Sequence, residues 1–565
     1  MIISLTLIFK KMLIMQSTLK LILNRSCKAQ HCRALGQYYN HKNNDYRGQN
    51  FKNKKTPLVI GTAITSLVGY YLFINKNQRH VYAKEAKKEE TNAGAYCKGL
   101  PSYSMSEVNK HTTKEDKIWV VYREGVYDIT EFAEQHPGGD QILIAAGGSV
   151  EPFWLLYGIH KNENVFKILE SFRIGNLKKE DQVQITDIED PYAKDPIRHV
   201  ALRPANMKPF NAEVSPALLC ESFLTPNDLF YVRNHLPVPE VDPATFELEI
   251  EVEGTRKTVS FTLEELKKFP KATITATLMC AGNRRTEMTK VKAVKGLSWG
   301  PCAIGTATWS GVRLRDLLQK VGVTDDEETL KHVQFEGLDF DVTANQYGAS
   351  IPLWKAVDKR GDVILAYEMN GVPLPPDHGY PLRVVVPGVA GARNVKWLGK
   401  IVVSQQESSS HWQQNDYKGF CPSIDWNNAD FSTAPAIQEM PVISAICRPA
   451  EGDVVKVENG FINLKGYAWS GGGQKIIRVD VTTDGGKTWQ IAKLDDQDAA
   501  LPPRHWAWTL WSARIPVDPK LKEVEIWCKA VDSCYNTQPE SFENIWNFRG
   551  VLSNAYHRVK VKLGQ

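Results

Sequence analysis

The sequence predicts an α+β multidomain protein. Three observations carry that expectation. The 565 residues are enough for three or four ordinary domains. The apolar share of 42% is that of a globular chain. The residue pattern also changes along the chain, from short strands mixed with short helical turns to a final stretch of alternating strands broken by Gly and Pro.

Residues 1–80 come first and are unlike the rest. They hold 13 Lys and Arg against Asp45 alone, a net of +12 in a chain of formal charge +5, so residues 81–565 carry −7. An acidic remainder argues against nucleic acid as a partner and for a basic protein whose encounter it would steer. The first 44 residues lack Asp and Glu, and Lys10, Lys11, Lys20, Arg25, Lys28 and Arg33 punctuate apolar residues such as Leu13, Ile14, Leu19, Leu21 and Ile22. That is the composition of a mitochondrial transit peptide. Residues 57–74 form an uncharged run flanked by Lys54, Lys55, Lys76 and Arg79. Its length approaches the roughly 17 to 25 residues that span a bilayer, so it reads either as a permanent anchor or as a sorting segment removed during import. The ten cysteines show no C-x-x-C pair and no zinc-like spacing, which suggests buried free thiols.

From Tyr96 onward the text becomes orderly. Residues 117–122 read as a strand, Glu124-Gly125 as a turn and residues 126–129 as the returning strand. Thr130 is placed to cap a short helix that delivers His136, which Pro137-Gly138-Gly139 then ends. An apolar helix over residues 141–146 and the stop Gly147-Gly148 lead to a second histidine, His160. Two neutral imidazoles on opposite sides fill both axial positions of a haem iron, which suits electron transfer. Either histidine alone fits a buried structural role. Together with the flanking strands and Phe153-Trp154, residues 96–178 resemble cytochrome b5, which implies a b-type haem held by His136 and His160. Residues 179–191 are polar, charged and without period, and read as a hinge that keeps this module close to the next.

The rest of the chain is organised around Ala276-Thr-Leu-Met-Cys-Ala-Gly-Asn-Arg-Arg285. Ile274, Thr275, Leu278 and Met279 predict a buried strand that ends at Cys280. Small Ala281 and Gly282 leave room for a ligand beside the backbone. Arg284 and Arg285 supply two cationic forks suited to an oxyanion, and adjacent cations favour the thiolate form in which sulfur binds a soft metal. On local residues alone Cys280 fits a buried apolar cysteine about equally well. The stretch Met-Cys-Ala-Gly-Asn-Arg-Arg, however, resembles the molybdenum-binding stretch of the sulfite oxidase family, in which the cysteine is the protein's sulfur ligand to a molybdenum pterin.

That resemblance extends from about residue 96 to the C-terminus, and it implies a mixed α+β catalytic domain of the sulfite oxidase fold over residues 192–431. In Phe230-Tyr-Val-Arg-Asn-His235 it implies substrate contact by Arg233 and pterin contact by Tyr231, Val232, Arg233, Asn234 and His235. Trp299 would form a pocket wall, with Arg285 and, from residues 546–557, Arg549 at the substrate. Asp339, His378, Arg383, Asn394, Val395 and Lys396 match pterin-binding positions; a phosphate-bearing pterin needs fixed cations, which Arg383 and Lys396 supply. The Asn394 side chain is the weakest match of these. Tyr417 on its own reads more readily as a half-buried aromatic, and the resemblance makes it the active-site tyrosine, with Lys418 adding positive charge.

Beyond Ser432 the strands alternate: Ile477, Val479 and Val481 against Arg478, Asp480 and Thr482, then Val524, Ile526, Cys528 and Ala530 on one face. Residues 432–565 predict an immunoglobulin-like β-sandwich, resembling the family's dimerisation domain and implying a homodimer. The implied activity is oxidation of sulfite to sulfate at molybdenum, with electrons leaving singly through the haem to cytochrome c. Because relatives of this type are soluble, removal of residues 57–74 is the favoured reading, with membrane contact only during import and residence in the mitochondrial intermembrane space. Two rivals are a nitrate reductase, in which the haem module would follow the molybdenum domain and precede a flavin reductase, and a membrane-anchored haem carrier with no role for Cys280.

Overall fold

The computed structural model describes residues 92–565 apart from 137–138, 182–189, 256–257, 325–328, 342–344, 496, 519 and 565. The transit and sorting readings of residues 1–80, and most of the expected hinge, lie outside the described residues. Among the described residues no helix is long and apolar enough to cross a membrane.

The N-terminal module is built on a sheet of β1 (Ser102–Tyr103), β2 (Trp119–Tyr122), β3 (Gly125–Asp128) and β4 (Arg173–Leu177), in the order β1-β4-β3-β2. Every residue of β2 is buried because the strand has core on both faces: Val120 and Tyr122 join one cluster, Trp119 and Val121 another. Helix α1 (Thr130–Ala133) begins at Thr130 itself, with Ile129 at the cap position. The Thr130 hydroxyl is committed elsewhere, accepting from the Ile118 amide at 2.9 Å and donating to Asp128 at 2.5 Å. The apolar run expected as an α-helix is a 3-10 helix over Gly139–Ala145. Helices α2 (Glu151–Leu156) and α3 (Glu163–Glu170) follow, the latter capped by Asn162, whose side chain accepts from the Asn164 and Val165 amides.

The central domain contains three sheets. The first joins β5 (Arg203–Met207), β6 (Phe210–Glu213) and β7 (Val232–Arg233). The second places β8 (Glu247–Val252), β9 (Thr258–Thr262), β12 (His332–Phe340), β13 (Gln346–Pro352) and β17 (Leu398–Ser404) in the order β13-β12-β17-β8-β9. The third runs β10 (Lys271–Met279), β11 (Ile304–Arg313), β14 (Ile364–Met369) and β15 (Val372–Pro373), with β16 (Arg383–Val385) beside β14. Unbroken pairing of β10 with β11, from Lys271 opposite Val312 to Met279 opposite Ile304, delivers Cys280 one residue past the strand end. Helix α4 (Arg285–Thr289) follows at once.

The C-terminal domain is a two-sheet sandwich. One sheet holds β18 (Ile443–Arg448), β20 (Phe461–Trp469), β23 (Lys493–Asp495) and β24 (Thr509–Pro516). The other holds β19 (Val454–Lys456), β21 (Ile476–Thr482), β22 (Gln490–Ile491), β25 (Glu523–Asp532) and β26 (His557–Gly564). Val524, Ile526, Cys528 and Ala530 face the core as expected. Ile477 does not: a bulge between Ile476 and Arg478 shifts the register, so Ile476 is buried and Ile477 is 41% exposed.

Candidate functional site

Cys280 lines a cavity, and its sulfur accepts the Gly282 amide at 3.4 Å. Of the residues expected at the site, Tyr231, Arg233, His235, Cys280, Asp339, His378, Arg383, Asn394, Val395, Lys396 and Tyr417 line the cavity. Val232, Asn234, Arg285, Trp299 and Arg549 are not among its lining residues. Phe230, Leu278, Tyr347, Asp377, Gly391, Ala392 and Trp397 also line it and were not anticipated. Asp377 stands next to His378 in the sequence, so that signal was present; Tyr347, on β13, had none.

One end of the cavity is cationic. Arg233, from β7, donates to the Asn234 carbonyl at 2.6 Å, to Asn211 at 3.2 Å and to the Tyr417 hydroxyl at 3.4 Å. Tyr417 also lies 2.7 Å from His235 Nε2. Burial lowers the His235 pKa well below its ordinary value and raises that of Tyr417, so a neutral imidazole faces a protonated phenol. Arg285 folds back over the Cys280 turn: Nε donates to the Arg549 and Gly550 carbonyls at 3.2 and 3.0 Å, and Nη1 to the Leu297 carbonyl at 3.0 Å. It fits only because its neighbours are glycines. A Cβ on Gly282 would meet Arg285 Nη2 at 2.5 Å, and one on Gly550, at φ +59°, would meet Cγ at 2.7 Å. Arg549 pairs with Asp416, and burial followed by repulsion from Arg285 and Arg233 pushes its pKa down to about 9.

Arg284 departs from the expectation that both arginines face an oxyanion. It is fully buried, pairs with Glu287 through two 2.7 Å bonds and donates to the Ser444 and Ala555 carbonyls at 3.1 and 2.8 Å. It ties the Cys280 turn to the sandwich rather than serving the cavity. Trp299 is fully buried behind the turn, its carbonyl accepting the Thr286 amide at 3.1 Å.

The other end of the cavity presents groups without partners. Among the described residues Asp339 Oδ1 and Arg383 Nε are buried with no hydrogen-bond partner, while the other Arg383 nitrogens donate to the His378 and Asn394 carbonyls at 3.0 and 2.9 Å. Burial brings Arg383 down to about 10 and His378 to about 4, raises Asp339 and lowers Lys396. Lys396 reaches Asn234 and, at 2.8 Å, the Asp377 carbonyl; Arg198 clamps the Asp377 carboxylate at 2.8 and 2.9 Å. The Asn394 side chain is occupied with backbone, accepting from Val386 at 2.7 Å and donating to the Ala390 carbonyl at 3.1 Å, so only its backbone is available to a ligand. This donor set fits a phosphate-bearing pterin: fixed cations for the phosphate, and an unpaired carboxylate oxygen for ring N–H groups.

In the N-terminal module the His136 and His160 rings are parallel within 6° with centroids 6.0 Å apart. The two imidazoles would hold a haem iron between them. His160 Nδ1 lies 2.9 Å from the Tyr157 carbonyl, and burial lowers its pKa, favouring the neutral form that binds metal.

A buried thiol in a cationic pocket, beside a cavity for a phosphate-bearing ring and downstream of a paired-histidine module, defines a haem-linked molybdopterin oxidoreductase. Residues 104–178 match the cytochrome b5-like heme/steroid binding domain, residues 235–412 the oxidoreductase molybdopterin binding domain, and residues 434–564 the Mo-co oxidoreductase dimerisation domain. The chain is 55% identical over 515 residues to the mitochondrial sulfite oxidase of Drosophila melanogaster, covering 88% of each chain. It is 54% identical to that of Homo sapiens, covering 81% of this chain and 84% of the human one. The crystal structure of the sulfane dehydrogenase SoxCD from Paracoccus pantotrophus superposes with a TM-score of 0.54 at 27% identity, covering 67% of this chain and 96% of that one. The chain belongs to the sulfite oxidase family.

Proposed function

We propose that the protein oxidises sulfite to sulfate and exports the electrons one at a time. The observation that carries the reading is the meeting of Cys280, Tyr417 and Arg233, from separate parts of the sequence, at one end of the cavity, with Arg285 and Arg549 outside its lining but near enough to interact electrostatically with that group. Cys280 would hold a molybdenum pterin, which would supply the two-electron oxidation, and His136 and His160 would hold a haem iron, which would supply one-electron transfer. The residues do the rest. The charges of Arg233, Arg285 and Arg549 offset desolvation of a small dianion, and the protonated Tyr417 hydroxyl donates to one of its oxygens. Arg383 and Lys396 hold the pterin phosphate, and Asp339 accepts from its ring.

The domain boundaries follow as 96–178 for the haem module, 179–191 for the hinge, 192–431 for the catalytic domain and 432–565 for a sandwich through which two copies pair. Cytochrome c, a basic protein, is the proposed acceptor, supported by the net −7 of residues 81–565. Mitochondrial residence is in keeping with the naming of the relatives and the composition of residues 1–44; the intermembrane space is the compartment where cytochrome c is met. The haem module precedes the molybdenum domain, which disfavours the nitrate reductase reading.

The test is anaerobic addition of sulfite to purified protein while following the haem absorption and assaying bound molybdenum. Prompt haem reduction with molybdenum present is expected. No reduction at full cofactor loading would mean that the substrate or the internal electron path is wrong, and nitrate would be tried next.

A further inference from the structure

Arg549 stands beside the pocket, outside its lining residues, on a segment stitched onto the Cys280 turn. The Leu552 amide donates to the Ala281 carbonyl at 2.8 Å, and the Lys295 amide to the Phe548 carbonyl at 3.0 Å. Its backbone is therefore fixed, while its side chain is only partly committed: Nη2 bonds Asp416, the ring of Trp426 lies 5.5 Å from the guanidinium carbon, and buried Nε has no partner. The pair leaves 18% of the Arg549 side chain and 15% of the Asp416 side chain exposed, so neither side chain is fully sealed from solvent.

Asp416 closes a π-helical turn, Trp412–Asp416, and immediately precedes Tyr417. Its carboxylate pairs with Arg549, a guanidinium that Arg285 and Arg233 repel. A carboxylate and a sulfur oxyanion make the same demand on a guanidinium, two oxygens against one fork. They cannot both be met by the donors of Arg549 that face Asp416.

Resting on the sulfite reading above, we propose that Asp416 is an internal counter-anion that occupies Arg549 in the empty pocket and must be displaced by an incoming oxyanion, so that it sets the affinity and the ease of product release. A pocket whose binding-competent state is populated a tenth of the time binds about tenfold more weakly than the competent state itself. The arrangement keeps three cations compatible with one another before substrate arrives, and it limits how tightly the product dianion is retained.

Competition and bracing predict opposite signs. The holoenzyme carrying Asp416→Asn is titrated with sulfate at constant ionic strength and assayed with sulfite, beside wild type, Arg549→Gln and the double variant. Expected are sulfate binding roughly tenfold tighter in D416N, a comparable fall in KM for sulfite, and a kcat that falls or holds. In the R549Q background the Asp416 substitution should change sulfate affinity little, since the group it releases is gone. Weaker or unchanged sulfate binding in D416N would overturn the proposal and make Asp416 a brace. Unaltered haem absorption and thermal unfolding certify the fold; Asp416→Ser carries the same expectation. If wild type fails to oxidise sulfite, the substrate reading falls, while the sulfate titration still decides the competition.

Discussion

Cys280 and Arg284 are four residues apart in sequence and in one turn, yet they answer to different partners. Replacing Cys280 by Ser removes the soft ligand with little change in volume, so sulfite turnover should be abolished while the haem spectrum is retained; unchanged turnover would show that the thiol is not a ligand. Replacing Arg284 by Met leaves Glu287 charged and buried, and should lower stability by about 3–5 kcal/mol in denaturant unfolding. The two arginines were indistinguishable in the sequence because only the fold shows which carbonyls wait for each: Ser444 and Ala555 for Arg284, Leu297, Arg549 and Gly550 for Arg285. Cys280 was legible because strand, small residues and cations lie in one unbroken stretch. Asp416 and Tyr347 were not, since their meaning comes from residues distant in sequence, Arg549 for the one, His235 and Ala392 for the other.

At the scale of the element, what matters is how closely strands approach and which polar groups their ends bury. In β11, beside the bulge at Ser310, Gly311 faces the Leu365 carbonyl so closely that a Cβ would lie 1.9 Å from it. Gly311→Ala should therefore cost about 3 kcal/mol or more, read as a fall in the urea midpoint, and an unchanged midpoint would refute the contact. At the start of β26, His557 accepts the Ile446 amide through Nδ1 at 3.0 Å, and burial holds its pKa down to about 4. Its folded pKa is depressed below the unfolded value of about 6.5. Between those values the unfolded chain binds the proton and the native chain does not, so stability falls as pH drops from about 6.5 to about 4, by up to about 1.4 kcal/mol per pH unit. Thermal unfolding in that window should be less pH-dependent in His557→Gln than in wild type. The strand pattern of the sandwich was readable from alternation, whereas the bulge that turned Ile477 outward was not, because adjacent Ile476 and Ile477 can each fill the inward position.

The whole molecule poses the question of whether the haem module and the catalytic domain can be separated experimentally. Cutting between them is a poor test. Leu156 and Tyr157 of the haem module pack with the core of the catalytic domain, the Tyr192 hydroxyl donates to the Leu156 carbonyl at 2.5 Å, and the Gly158 amide donates to the Lys208 carbonyl at 3.1 Å. Truncation would uncover that surface and confuse lost electron transfer with lost stability. A point change at the iron avoids this. His136 comes from a different segment than the Leu156–His160 loop that makes the contacts just named. Substituting Ala for His136 in the full chain should remove the b-type haem absorption and abolish reduction of cytochrome c. Oxidation of sulfite should continue with a small inorganic oxidant able to reach the molybdenum pocket directly, at a KM within about twofold of wild type, since the arginines and Tyr417 are untouched. Loss of both activities would mean that the haem module is needed for the catalytic pocket itself; retention of cytochrome c reduction would mean that electrons leave the protein without passing the haem.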